Sequence, residues 1–215
     1  MANVSRINGF RPVKHLDGSP WNGQVNRYYA AAADTVPIFN GDLVQLAAVT
    51  ENPGATLLGG FNATVGGTQG VKKATETTPG TVDAAPVVGV AVGFMINPLN
   101  LNSPQYRTAS TAMYVLVADA VDTVFEVQSG VAPTPTDLNQ NATVIDANLP
   151  TPTAQSLVTG FSGMSISAYV TTATAVVKVL GAVQKVDNDI TSANYKVLVT
   201  INNHQYAGGT GTAGV

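Results

Sequence analysis

The sequence predicts an all-β fold: a β-sandwich or β-barrel body with an extended N-terminal arm and long loops. Three observations carry this expectation. Tyr195, Val197, Val199 and Ile201 alternate with Lys196, Leu198, Thr200 and Asn202, the period of two that marks a strand with one buried face. Short Val-rich runs recur between clusters of Gly, Pro, Asn and Asp, which is the punctuation of strands and turns. No stretch of the sequence carries the 3.6-residue apolar period of a long amphipathic helix.

Taken in order, residues 1–27 lack a core period and hold Arg6, Arg11, Lys14 and Arg27 against Asp17, a formal +3 that leaves −6 for residues 28–215. They read as an extended basic arm. Val25 to Ala32, with Tyr28 and Tyr29, and Leu43 to Val49, after the turn signal Asn40-Gly41-Asp42, read as strands. Val87 to Ile96 reads as a strand buried on both faces, with Gly89 and Gly93 marking a close backbone approach or a bulge. Met113 to Ala118 and Thr123 to Gln128 flank Asp119-Ala-Val-Asp122, a spacing that suggests a hairpin. Asp137-Leu-Asn-Gln-Asn-Ala142 is briefly helical, with Asp137 as the expected N-cap. Met164 to Thr171 and Ala175 to Val183 are the expected partners of the strand at Tyr195 to Asn202.

Asn52 to Gly70 and Ser129 to Thr174 read as loops, and long loops tend to be functional or to lie against a partner. The domain organisation expected from this pass is an arm over 1–27, a β-rich body over 28–149, a C-terminal β-rich part over 150–207 packing on the body, and a flexible Gly-rich tail over 208–215. The boundary near Pro150-Thr-Pro152 is a possible subdomain junction.

Only 11% of the 215 residues are charged, against about 25% in an ordinary soluble domain. Thr, Asn, Gln, Ser and Gly take their place. Such a surface is easily desolvated, because burying a hydroxyl or amide costs far less than burying an unpaired ion. The composition suits a protein covered by neighbours as well as it suits a Thr-rich secreted β domain. With no cysteine, the fold has neither disulfides nor thiolate metal sites, and packing or oligomerisation must stabilise it. Arg6 and Arg11 stand where an export signal needs an apolar run, so no secretory export is expected. The most apolar stretch, Ala84 to Ile96, is too short to span a bilayer and is broken by Pro86, Gly89 and Gly93; no membrane insertion is expected.

Catalytic and metal-binding signatures are weak. His15, Asp17 and His204 are ligand types that zinc accepts, but their spacing matches no metal motif, and hydrogen-bonded structural roles are the simpler reading. The pairs Asp119/Asp122 and Asp187/Asp189 lack the rest of a calcium loop, and turn chemistry accounts for both. The Gly-rich tail lacks the Lys-Ser/Thr of a phosphate loop, and no serine sits in a nucleophile elbow. No cofactor is expected. The cations of the arm are few and interleaved with Phe10, Pro12, Leu16, Pro20 and Trp21; with a sequence pI near 5.1, the arm fits a groove between proteins better than nucleic acid.

Several blocks stand out along the chain: Asn8-Gly-Phe-Arg-Pro-Val-Lys-His-Leu-Asp-Gly-Ser-Pro-Trp-Asn-Gly followed by Tyr28-Tyr29, then Asn40-Gly-Asp-Leu-Val, Val124-Phe-Glu-Val-Gln, and Val197-Leu-Val-Thr-Ile-Asn-Asn-His-Gln with its Gly-Thr-Gly tail. In wording and order these blocks resemble structural proteins encoded beside the major capsid protein in tailed bacteriophages. The resemblance implies a head decoration, or cement, protein: β-rich, commonly trimeric, without enzymatic activity or cofactor, made in the bacterial cytoplasm and residing on the virion head. Its implied partners are the major capsid protein and further copies of itself. The candidate contact residues are Arg6, Phe10, Arg11, Lys14, Trp21, Arg27 and Tyr28. The rival within assembly proteins is a tail, fibre or receptor-binding component. From another class, the rival is a cysteine-free β hydrolase using Asp119 or His204.

Overall fold

The computed structural model describes residues 3–6, 8–48, 68–74, 86–96, 101–134, 136–146 and 157–208. Most of the loop expected over 52–70, the junction near residue 150 and the tail beyond Gly208 lie outside the described residues. The fold is all-β, with eleven strands among the described residues: β1 (Arg11–His15), β2 (Asn26–Ala30), β3 (Leu43–Ala47), β4 (Gly70–Lys73), β5 (Gly89–Phe94), β6 (Met113–Ala118), β7 (Thr123–Gln128), β8 (Asn141–Asp146), β9 (Met164–Val170), β10 (Val177–Ala182) and β11 (Lys196–Ile201). Strands β2-β4-β3-β5-β6 close into a small barrel, and the others form a six-stranded sheet in the order β1-β7-β11-β10-β8-β9.

Strand β5 explains how the two sheets share one molecule. Ala91 of the strand and Val88 just before it face the barrel interior with Ala30, Ile38, Val44, Val71, Val115 and Val117. Val87 and Val90 face the other way, into a second core with Leu43, Phe125, Val127, Val144, Met164, Ile166, Val177, Val179, Val197, Val199 and Ile201. The first half of the strand is buried on both faces, as its Val-rich run predicts, and the second half is partly buried. Gly89 is the close approach: a Cβ there would meet the Ala118 carbonyl oxygen at 2.4 Å. The register of β5 against β6 shifts between Ala91 and Gly93, the expected bulge.

The four residues between β6 and β7 do not make a hairpin. β6 pairs with β2 and β5 in the barrel, whereas β7 pairs with β1 and β11 in the sheet. Asp119 to Asp122 therefore carry the chain from one sheet to the other. The two acids serve opposite sides of the crossing: Asp119 accepts from Asn26 and Tyr28 of the barrel, and Asp122 lies 3.2 Å from His15 of the sheet.

The N-terminal segment is folded onto the body. β1 pairs antiparallel with β7 from Arg11↔Glu126 to His15↔Thr123, and Phe10, 1% exposed, stands edge-on to Phe125 with ring centroids 6.5 Å apart. Farther out, Asn3 exchanges hydrogen bonds with Asp189, and the Arg6 amide donates to Gln128 Oε1. The six-stranded sheet thus contains chain from both sides of residue 150, since β8 pairs with β9 through six positions. Among the expected partners of β11, β10 pairs with it directly, while β9 lies two strands farther along. The helical segment expected over 137–142 is shorter: a 3-10 turn forms over Asp137–Asn139 with Thr136 at the cap position, and Asn141 and Ala142 already pair with β9 as the start of β8; Asp137 instead turns back to accept from the Thr134 amide and hydroxyl.

Candidate functional site: an aromatic groove beside the first strand

Two glycine turns build the site's floor. Gly9 and Gly41 both have positive φ, at +64° and +95°, and each lies where a Cβ would strike the other turn: Gly41 O at 2.5 Å from the first, Asn8 O at 2.6 Å from the second. The Phe10 amide donates to the Gly41 carbonyl at 2.9 Å. The Asn8-Gly-Phe and Asn40-Gly-Asp blocks are therefore two halves of one interlocked turn pair, possible because glycine tolerates both the conformation and the contact. Asp42, 0% exposed, anchors the second turn. Its carboxylate accepts from the Phe39 amide and the Ser162 hydroxyl and meets Lys73 Nζ at 3.2 Å.

Above this floor lies an open groove of about 270 Å³ lined by Asn8, Phe10, Arg11, Pro12, Trp21, Asn40, Gly41, Val92 and Phe161. Trp21 reaches it because the chain reverses after β1: Lys14 pairs with Pro20, and the Trp21 amide donates to the Val13 carbonyl. On the opposite rim, the Ser162 amide donates to the Asn40 carbonyl, and the Gly160 carbonyl accepts from the Asn40 amide. These bonds hold Phe161 42% exposed. The loop containing Gly160 lies against the one containing Gln105, so exposed Leu101, Leu157 and Val158 fall on two adjoining loops beside the groove. An apolar centre carrying Trp, Phe and Arg with polar edges has the composition of a protein interface core.

Of the seven residues singled out in the sequence, Phe10, Arg11 and Trp21 meet here. Phe10 serves as floor, while Arg11 and Trp21 present surface. Arg6 lies farther along β7, near Gln128 and Lys196. Lys14 is half-buried on β1. Arg27 and Tyr28 belong to a separate depression of about 490 Å³ with Asn26, Thr68, Gln69, Asp119 and Tyr206. In that depression Arg27 lies over the Tyr114 ring at 4.8 Å. Tyr28 is buried, and its hydroxyl donates to Asp119 at 2.6 Å and contacts the Tyr206 hydroxyl at 2.8 Å. Burial, reinforced by the bond to Asp119, pushes the Tyr28 phenol far above its ordinary pKa, so it stays a neutral donor. The cluster ties the C-terminal turn at Gln205–Ala207 to the barrel.

Sequence reasoning missed Phe161 and its neighbours. They fall in the stretch 129–174 that reads as loop, and the available signal was three large apolar residues, Leu157, Val158 and Phe161, in a segment nearly free of charge.

The two histidines and the paired acids have separate surroundings. His15 meets Asp122, whereas Asp17 and Asp189 bond to Ser19 and Thr191 two residues on. These local bonds hold both carboxylates below their usual pKa. His204, 1% exposed, accepts from the Tyr206 amide through Nδ1, and burial depresses its pKa despite the opposing charge of Asp119. Among the described residues, no three His, Cys, Asp or Glu side chains come together to hold a metal, and no helix is long and apolar enough to cross a membrane.

Fold and site together define a class: an all-β protein in which a small barrel sits on a six-stranded sheet and carries an interface-like groove at the junction. The chain matches no family model, no curated protein and no solved structure.

Proposed function

We propose that the protein is a structural component of a phage virion that binds the outside of the capsid and cements neighbouring major capsid protein subunits, self-associating as a trimer. The observation that carries this reading is the groove of Trp21, Phe161 and Arg11, bordered by loops with exposed Leu101, Leu157 and Val158. Trp and Arg are the residues most often found as binding hot spots, and an 11% charged composition lowers the desolvation cost of covering the surrounding surface. The resemblance of the Asn8–Gly23 and Asn40–Val44 blocks to capsid-associated proteins points the same way. Binding is passive in this account. Each copy adds buried area between shell subunits, so the assembled shell is stabilised by mass action, and repetition by symmetry adds avidity.

The test is co-sedimentation with shells of the major capsid protein from the same phage. The wild type is expected to pellet with shells. Trp21→Ala and Phe161→Ala are each expected to weaken binding by roughly tenfold or more, as loss of a hot-spot side chain does. Wild-type protein that stays in the supernatant with both immature and expanded shells would sink the proposal.

A further inference from the structure

The β1–β7 ribbon ends in two unlike surfaces. At one end the turn after β1 meets the crossing before β7, with the Leu16 amide donating to the Asp122 carbonyl. This tip exposes Leu16 (56%) and Val121 (43%) beside the carboxylates of Asp17 and Asp122. At the other end, beyond Arg11 and Glu126, a groove of about 480 Å³ has Val4 and Val186 among its lining, both strongly exposed, beside Arg6, Lys185 and Lys196, with Asp187 as its only acid. Glu126 lies beneath the two lysines, 3.4 Å from Lys185 and 3.2 Å from Lys196.

Each end has what the other lacks. The tip offers two apolar side chains flanked by negative charge, and the groove offers two apolar side chains flanked by an excess of positive charge. We propose that the tip of one copy docks in the basic groove of a second copy. Leu16 and Val121 pack against Val4 and Val186, while Asp17 and Asp122 face Arg6, Lys185 and Lys196. Because tip and groove are different surfaces, the contact is heterologous. It propagates head to tail and closes into a ring, as a trimer requires. This rests on the self-association part of the reading above and is independent of shell binding.

The experiment uses two full-length variants, each checked for a wild-type thermal transition. In the tip variant, Leu16→Lys and Asp122→Lys reverse the charge of the tip. In the groove variant, Arg6→Glu and Lys185→Glu reverse the groove and leave Lys196 on Glu126. Sedimentation velocity is expected to find the wild type associated, and less so at about 1 M salt, where the Debye length falls to about 3 Å. Each variant alone is expected to be monomeric. An equimolar mixture is expected to recover a complex containing both chains, since each variant then meets a surface of opposite charge. A monomeric wild type overturns both this contact and the self-association it rests on. An associated wild type whose variants assemble unchanged, or whose monomeric variants fail to recover on mixing, overturns the contact alone.

Discussion

Asp42 and Lys73 are 0% and 2% exposed and lie 3.2 Å apart, which makes them the most consequential polar pair in the barrel. The lysine also stands over the Phe39 ring, 5.8 Å from its centroid. A buried pair of this kind adds little net stability over an apolar substitute, yet removing one partner leaves the other charged and desolvated. Lys73→Met is therefore expected to cost about 3–5 kcal/mol in urea unfolding, and replacing both residues with apolar ones less than the sum of the single changes. His204 supplies a second residue-scale test. Its folded pKa lies below the usual 6.5, so the unfolded chain binds the proton more readily and stability falls as pH drops below that value toward the folded pKa. Thermal melts between neutral and mildly acidic pH are expected to shift down for the wild type and less so for His204→Gln. Equal slopes would contradict the assignment.

Among the elements, β1 has the largest consequence for the account. It gives β7 its second partner, and all six residues of β7 are buried; without β1 the β7 backbone would face solvent as an unprotected edge. Deletion of residues 2–24 removes β1, Phe10 and the Gly9 half of the turn pair, so it is expected to abolish cooperative unfolding in a thermal melt. Phe10→Ala alone is expected to cost about 3–5 kcal/mol. A truncated chain with a wild-type melt would show that the segment is an appendage after all. The sequence could not reveal β1, because Arg-Pro-Val-Lys-His is short, charged and interrupted by proline, and its partner β7 begins over a hundred residues later. The strands β5, β6, β7 and β11 were legible because their apolar runs are long or strictly alternating. The pairing of β6 and β7 was not, since an Asp-rich tetrapeptide reads the same whether it closes a hairpin or crosses between sheets. β8 was hidden because Asn-Ala-Thr-Val-Ile-Asp sits in a stretch whose prolines and low charge resemble loop.

At the scale of the whole molecule, the cations behind the formal +3 of the first 27 residues are divided between the β1–β7 ribbon and the barrel. Arg6 and Arg11 lie toward one end of β1, while Arg27 stacks on Tyr114 of the barrel. The aromatic groove was half legible: Phe10, Arg11 and Trp21 stood out in the sequence, and Phe161 is brought to them by the long-range bonds of Asn40 with Gly160 and Ser162 and of Asp42 with Ser162. A surface poor in charge, with an aromatic groove and exposed apolar loops, is suited to being covered, and the proposed cover is the shell. The most direct measurement of the proposed role is the thermal transition of shells made from the major capsid protein of the proposed phage, scanned with and without saturating protein. The account predicts a higher transition for decorated shells, and a shift lost with Trp21→Ala. An unchanged shell transition with the protein bound would contradict the cementing role.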